Sequence, residues 1–82
     1  MTRKVERIVW MDSSTEAGWH PQENLAVLID HAYCASVGWV IDESTDWLVI
    51  ATTVSQGGCL SPVAIPQCAI ISRSLLAEVD PE

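Results

Sequence analysis

The sequence contains no phenylalanine, only four basic residues and no apolar run long enough to cross a bilayer. The basic residues are Arg3, Lys4 and Arg7 near the start and Arg73 near the end, against eleven acidic residues and a net charge of −7. Because lysine and arginine supply non-specific affinity for phosphates, this balance argues against binding to nucleic acid or to an anionic membrane. The first residues, MTRKVERIVW, lack the apolar stretch of a signal peptide, which predicts a cytoplasmic protein.

Residue patterns that identify a reaction are also missing. There is no nucleophile elbow, phosphate-binding glycine loop or paired acid motif. The candidate zinc ligands are His31, Cys34, Cys59 and Cys68. The spacing of the last two matches no common zinc knuckle, and the apolar sequence around the cysteines favours buried, reduced thiols. The acidic turns lack the oxygen spacing and central glycine of a calcium loop, so we predict no enzyme activity, metal or cofactor.

The clearest structural pattern is the stretch Ser36–Val54, in which two apolar runs flank a polar segment. Val37, Trp39 and Ile41 fall on one face of an extended chain, and the second run alternates in the same way. The intervening Asp42–Asp46 is rich in side chains that bond to their own backbone in turns. The pattern predicts an antiparallel hairpin.

Three further strands are predicted at Lys4–Asp12, Cys59–Ile65 and Ala69–Ser72. A tight helical turn at Pro66–Cys68 precedes the last of them. Together with the hairpin, these strands predict a mainly β domain, a small five-stranded bent barrel of the SH3 or Sm type. A flat meander with one helix packed across it is the alternative.

The chain is predicted to form a single domain over residues 1–82, with a frayed tail at 79–82. Residues 21–32 favour one short helix, since Pro21 suits a first helical position, although the apolar run AVLI fits a strand as well. Ser74–Glu78 is predicted to form a last short turn.

Composition also bears on assembly. The chain has 82 residues, of which 49% are hydrophobic and only 18% charged. So small a domain has a large surface to cover with polar groups, and this chain has few of them. We therefore expect a homo-oligomer in which apolar surface is buried between subunits.

The aromatic residues are the strongest functional signal. A tryptophan combines a large apolar ring with one hydrogen-bond donor, which suits a half-exposed position in a pocket or contact. Adjacent glycines offer backbone amides to an anionic group. The candidate ligand- or partner-binding residues are Trp10, Trp19, Trp39, Trp47, Tyr33, Gly57 and Gly58.

Several short motifs resemble a set of small uncharacterised proteins encoded by phages and prophages. They are VWMDS at Val9–Ser13, the Gly18–Trp19 pair, SVGWVIDES at Ser36–Ser44, LVIA at Leu48–Ala51 and VAIPQCAI at Val63–Ile70. The resemblance implies a phage origin and a location in the host cytoplasm. It carries over no catalytic residue.

The first functional hypothesis is an accessory module that binds a host protein stoichiometrically, in host takeover or counter-defence. The acidic, lysine-poor composition and the tryptophans motivate it. One alternative is an oligomeric sponge that holds a nucleotide-like signalling ligand at a tryptophan-lined pocket between subunits. The other alternative is a small metal-dependent hydrolase.

Overall fold

The computed structural model describes residues 2–13, 18–24 and 32–80. These residues are mainly β. The strands are β1 (Arg3–Met11), β2 (Tyr33–Glu43), β3 (Trp47–Ala51), β4 (Thr53–Ser55), β5 (Gly58–Leu60), β6 (Val63–Pro66) and β7 (Ile70–Val79). Short 3-10 helices cover Gln22–Asn24 and Gln67–Ala69. Within the described ranges, no helix has the length and apolar character needed to span a membrane.

Five of the strands form one antiparallel sheet in the order β6-β3-β2-β1-β7, and β4 pairs with β5 in a separate hairpin. The prediction of a mainly β domain is confirmed, and the main sheet has the predicted number of five strands. The sheet is open, because β6 and β7 lie at opposite edges and do not pair with each other. Barrel closure is therefore not confirmed.

The predicted hairpin is β2 and β3, and its polar turn is held as the residue types suggest. The Ser44 hydroxyl accepts hydrogen bonds from the amides of Asp46 at 3.3 Å and Trp47 at 3.1 Å. The Ser44 amide donates to the Trp47 carbonyl at 2.8 Å. The side chain that bonds to its own backbone thus closes the turn.

Other boundaries differ from the sequence prediction. The strand predicted at Cys59–Ile65 is interrupted at Ser61, whose φ of +52° breaks the extended conformation, and divides into β5 and β6. The turn predicted at Ser74–Glu78 is wrong, because β7 continues to Val79 along the whole length of β1. Of the predicted helix at 21–32, Gln22–Asn24 is a 3-10 turn, and residues 25–31 lie outside the described ranges.

The sheet curves around a small core. Ile8 and Trp10 of β1 share one buried cluster with Leu48 and Ile50 of β3 and Ile65 of β6. In a flat sheet β1 and β6 would be about 14 Å apart, three strand spacings. Their common cluster requires the strands between them to bend.

The bend coincides with Gly38 in the middle of β2. Up to Trp39, β2 pairs with β1, and from Trp39 onward it pairs with β3. A Cβ atom on Gly38 would lie 2.8 Å from the Ala51 carbonyl oxygen and 3.3 Å from the Ile50 Cβ. Only glycine allows β3 to approach β2 this closely at the point where its pairing begins.

A cluster of charged side chains connects β7 to β1 and to the end of β2. Glu6 lies on the core side of β1, is 5% exposed, and receives hydrogen bonds from Arg73 Nε at 2.8 Å and Nη2 at 2.9 Å. The same guanidinium donates to Glu43 at the end of β2, at 2.6 and 3.1 Å. Gln67 Nε2 also donates to Glu43, at 3.1 Å. We call Glu6, Arg73 and Glu43 the clasp.

Both ends of the clasp show its electrostatic effect. Hydrogen bonds to Glu6 and then to Glu43 raise the pKa of Arg73 above its ordinary value. The hydrogen bond from Arg73, supported by Gln67, lowers the pKa of Glu43 despite partial desolvation. The charged forms of these two groups are therefore favoured in the folded state.

We expect Gly38→Ala to lower the free energy of unfolding by about 1–3 kcal/mol, the usual cost of forcing a methyl group into packed structure. Gly57→Ala is the matched control, since a Cβ there meets nothing within 4 Å. Chemical denaturation of both variants measures the difference. Equal stability of the two variants would show that β2 and β3 tolerate a wider separation.

We expect Arg73→Met to lower the free energy of unfolding by about 3 kcal/mol, because it leaves the buried Glu6 carboxylate without a counter-charge. Arg7→Met is the control, since Arg7 is an exposed arginine on the neighbouring strand. Adding Glu6→Gln to Arg73→Met should recover part of the loss. If both single variants unfold at the same denaturant concentration, the clasp contributes nothing to stability.

Candidate functional site

The sheet formed by β7, β1 and β2 has one face turned away from the core, which we call the outer face. Residues directly opposite each other on neighbouring strands project to the same side of a sheet. The register sets Arg7 beside Val37, and Met11 beside Tyr33. Residues of β1 therefore alternate between the two sides of the sheet, with Ile8 on the core side and these residues on the other.

Where β7, β1 and β2 pair with one another, the outer face is apolar and aromatic, and the formal charges there are positive. Its members are Arg3, Val5, Arg7, Val9 and Met11 of β1, Tyr33, Ala35, Val37 and Trp39 of β2, and Ser72, Ser74, Ala77 and Val79 of β7. None of these residues is acidic, in a chain whose net charge is −7. Of the carboxylates on these strands, Glu6, Glu43 and Glu78 lie on the core side, whereas Asp42, near the end of β2, projects to the outer side opposite Val49.

Large apolar side chains on this face are open to solvent. Met11 is 42% exposed, Tyr33 57% and Val37 58%. Protein interfaces are enriched in tyrosine, tryptophan, methionine and arginine and depleted in lysine and carboxylates, which is the composition found here. The outer face therefore has the character of an interface core.

A pocket of about 230 Å³ adjoins the outer face at Val37. It is lined by Ser36, Val37, Ile50, Ala51, Thr52, Ser61 and Val63. The pocket forms because β3 leaves β2 at Ala51, and Thr52 then turns the chain into the β4–β5 hairpin through bonds to the Leu60 carbonyl at 3.2 and 3.1 Å. Its mostly aliphatic walls suit one inserted apolar side chain.

The structure distributes the predicted aromatic residues among different environments. Tyr33 and Trp39 both project to the outer face, at opposite ends of the ladder between β1 and β2. Trp10 is 9% exposed in the core, where its Nε1 donates to the Ser36 hydroxyl at 3.0 Å. Trp47 is half-exposed at the start of β3, opposite Pro66, and Trp19 is fully exposed.

The predicted glycine pair belongs to the β4–β5 hairpin. Gly57 is in the two-residue turn, and Gly58 begins β5 with a φ of +151°, a conformation that favours glycine. These glycines serve the turn geometry of a sheet separate from the one that carries the outer face.

The cysteines do not meet in a common site. All three are free thiols. Cys34 is partly buried, and its Sγ donates to the Ala32 carbonyl at 3.7 Å. Cys59 and Cys68 are exposed, so the expectation that they are buried is wrong. The described residues contain no group of three or more histidine, cysteine and carboxylate side chains placed to hold a metal, and His31 lies outside them.

Sequence reasoning missed two features of this region. It assigned no partner to Glu6, although Glu6, Ile8 and Trp10 occupy every second position of β1 and so share the side that faces the core. A charge in that position is a signal that a buried counter-charge exists elsewhere, and Arg73 is the one basic residue far from it in sequence. The pocket had no sequence signal, because it depends on where β3 separates from β2.

Comparisons with known proteins give no relative: no protein-family model matches the chain, and neither curated proteins nor solved structures show significant similarity to it. The functional argument therefore depends on the outer face and its pocket.

Proposed function

We propose that this protein is a binding module that acts by stoichiometric contact with a host protein through the outer face. The observation that carries the proposal is the placement of Tyr33, Val37 and Trp39 on one open sheet face, whose carboxylate on β2, Asp42, lies beyond the stretch that pairs with β1. An exposed apolar face of this kind is a frequent mark of an interaction surface.

The residues of the outer face indicate what kind of partner surface would bind to it. Tyrosine, tryptophan and arginine supply most of the binding energy in protein interfaces when they are enclosed by the partner. The matching surface is apolar at its centre, carries a carboxylate opposite Arg7, and inserts an aliphatic or aromatic side chain into the pocket beside Val37. The acidic remainder of the chain favours a basic rim around that centre.

The phage-type motifs add a biological setting to this proposal. A small phage protein that binds one host protein tightly serves takeover of the host or defeat of its defences, in the host cytoplasm. We also assign the fold to the SH3 or Sm class in an open form. The strand order supports this assignment, as does the 3-10 helix at Gln67–Ala69 that links β6 to β7.

A second candidate function uses the same face for a nucleotide-like ligand. Trp39 lies beside Val5, diagonal to Arg7 across β1 and β2. On diagonal positions of neighbouring strands, the tryptophan ring can stack on a base while the guanidinium binds a phosphate of the same ligand. The shortage of other basic residues limits the ligand to a small negative charge.

We expect Val37→Asp to abolish capture of the host partner from a phage-host lysate, because it places an acidic group in the middle of the outer face. Leu60→Asp is the matched control, since Leu60 is exposed to a similar extent, 62%, on β5. With the purified partner, Tyr33→Ala should weaken binding by about 2 kcal/mol, roughly 30-fold. Capture that survives Val37→Asp and is lost in Leu60→Asp would move the site to the β4–β5 hairpin.

Thermal denaturation with added nucleotides separates the two candidates. If the partner is a protein, the midpoint temperature stays constant as the nucleotide concentration rises. A ligand that binds the folded state instead raises the midpoint progressively. A rise that disappears in Arg7→Gln and persists in Lys4→Gln would select the nucleotide-like ligand, because Lys4 projects to the core side of β1.

A further inference from the structure

The two edges of the five-stranded sheet differ in their protection. Natural sheets protect an edge by keeping the strand short or by placing proline or lysine on it. β6 has only four residues, ends in Pro66, and follows Pro62 closely. β7 has ten residues and contains neither proline nor lysine. Among the residues that the structure describes, β7 pairs with β1 on one side only.

The large exposed side chains of β7 are apolar, and Glu78 is the strand's one acidic residue. Arg73 is the strand's one basic residue, and the clasp holds its guanidinium against Glu6. Two bulges in the β1–β7 ladder leave Ile71 and Leu76 as extra residues on β7. Bulges often protect an edge, but these two present side chains that are 52% and 53% exposed. Leu75, between them, is 56% exposed.

The apolar side chains of β7 supply the surface that a partner would bury. Four large ones, Ile71, Leu75, Leu76 and Val79, are between 39% and 56% exposed. Burial of such side chains is a main source of stability in homodimer interfaces.

We propose that a second copy of this chain covers β7. The two β7 strands pair antiparallel about a two-fold axis, and the two five-stranded sheets become one continuous sheet. A two-fold contact needs only one self-complementary surface, and an antiparallel strand edge is such a surface. An axis between Ser74 and Leu75 sets the two Glu78 side chains at opposite ends of the pairing, so that like charges do not meet.

This assembly is independent of the proposed host partner. Pairing at the edge buries the backbone of β7 and the side chains around Leu75, and it leaves Tyr33 and Val37 of both copies open on the outer face. Loss of assembly and loss of partner binding are therefore separate results, measured on separate variants.

Sedimentation equilibrium of the full chain tests the assembly. We expect a mass of twice 9.0 kDa at micromolar concentrations. Leu76→Lys should reduce it to the monomer mass, because a lysine on the edge opposes a second strand. Leu60→Lys, on the β4–β5 hairpin, should remain dimeric. Far-UV circular dichroism confirms that both variants are folded.

Hydrogen exchange of the unmodified chain locates the contact without any substitution. As the protein concentration increases through the dissociation range, exchange of the β7 amides should slow while exchange of the β6 amides stays constant. A monomer at every concentration would overturn the proposal. So would a larger assembly in which β6 becomes protected, because that result indicates pairing of β6 with β7 of the next copy.

Discussion

The fold depends on the buried Glu6 carboxylate and the charge that neutralises it. Glu6 lies on the side of β1 that faces the core, and a carboxylate there is stable only with a close cation and hydrogen bonds. Arg73 supplies both from β7, at 2.8 and 2.9 Å. Since its guanidinium also binds Glu43, one side chain fixes β7 to β1 and links both to the far end of β2.

This arrangement separates the charges of the chain between the two sides of the sheet. Glu6, Glu43 and Arg73 pair with one another on the core side, so the outer face keeps Arg3 and Arg7, and its carboxylate on β2 is Asp42, beyond the stretch paired with β1. The core itself is small, with Ile8, Leu48 and Ile65 as its largest fully buried side chains. A chain that is 49% hydrophobic therefore leaves much apolar surface uncovered, and a large part of it lies on the outer face and on β7.

Sequence reasoning succeeded where the causes are local. The hairpin of β2 and β3 follows from alternating residues and from Ser44, and the 3-10 turn before β7 follows from Pro66. It failed where alternation is interrupted: the bulges at Ile71 and Leu76 disturb the two-residue period of β7 and hide its length. It also missed the pairing of Glu6 with Arg73, because the two are 67 residues apart and no local pattern joins them. Their contact exists only once β7 lies along β1.

The open sheet connects the two proposals physically. A closed barrel would pair β6 with β7 and remove both edges, whereas here β7 keeps a free edge beside the outer face. Pairing of two β7 edges places two copies of that face on one continuous sheet at a fixed separation. A partner that is itself oligomeric then meets two sites at once, and the second contact forms at high effective concentration. Such a dimer gains avidity for its target without any additional contact in either site.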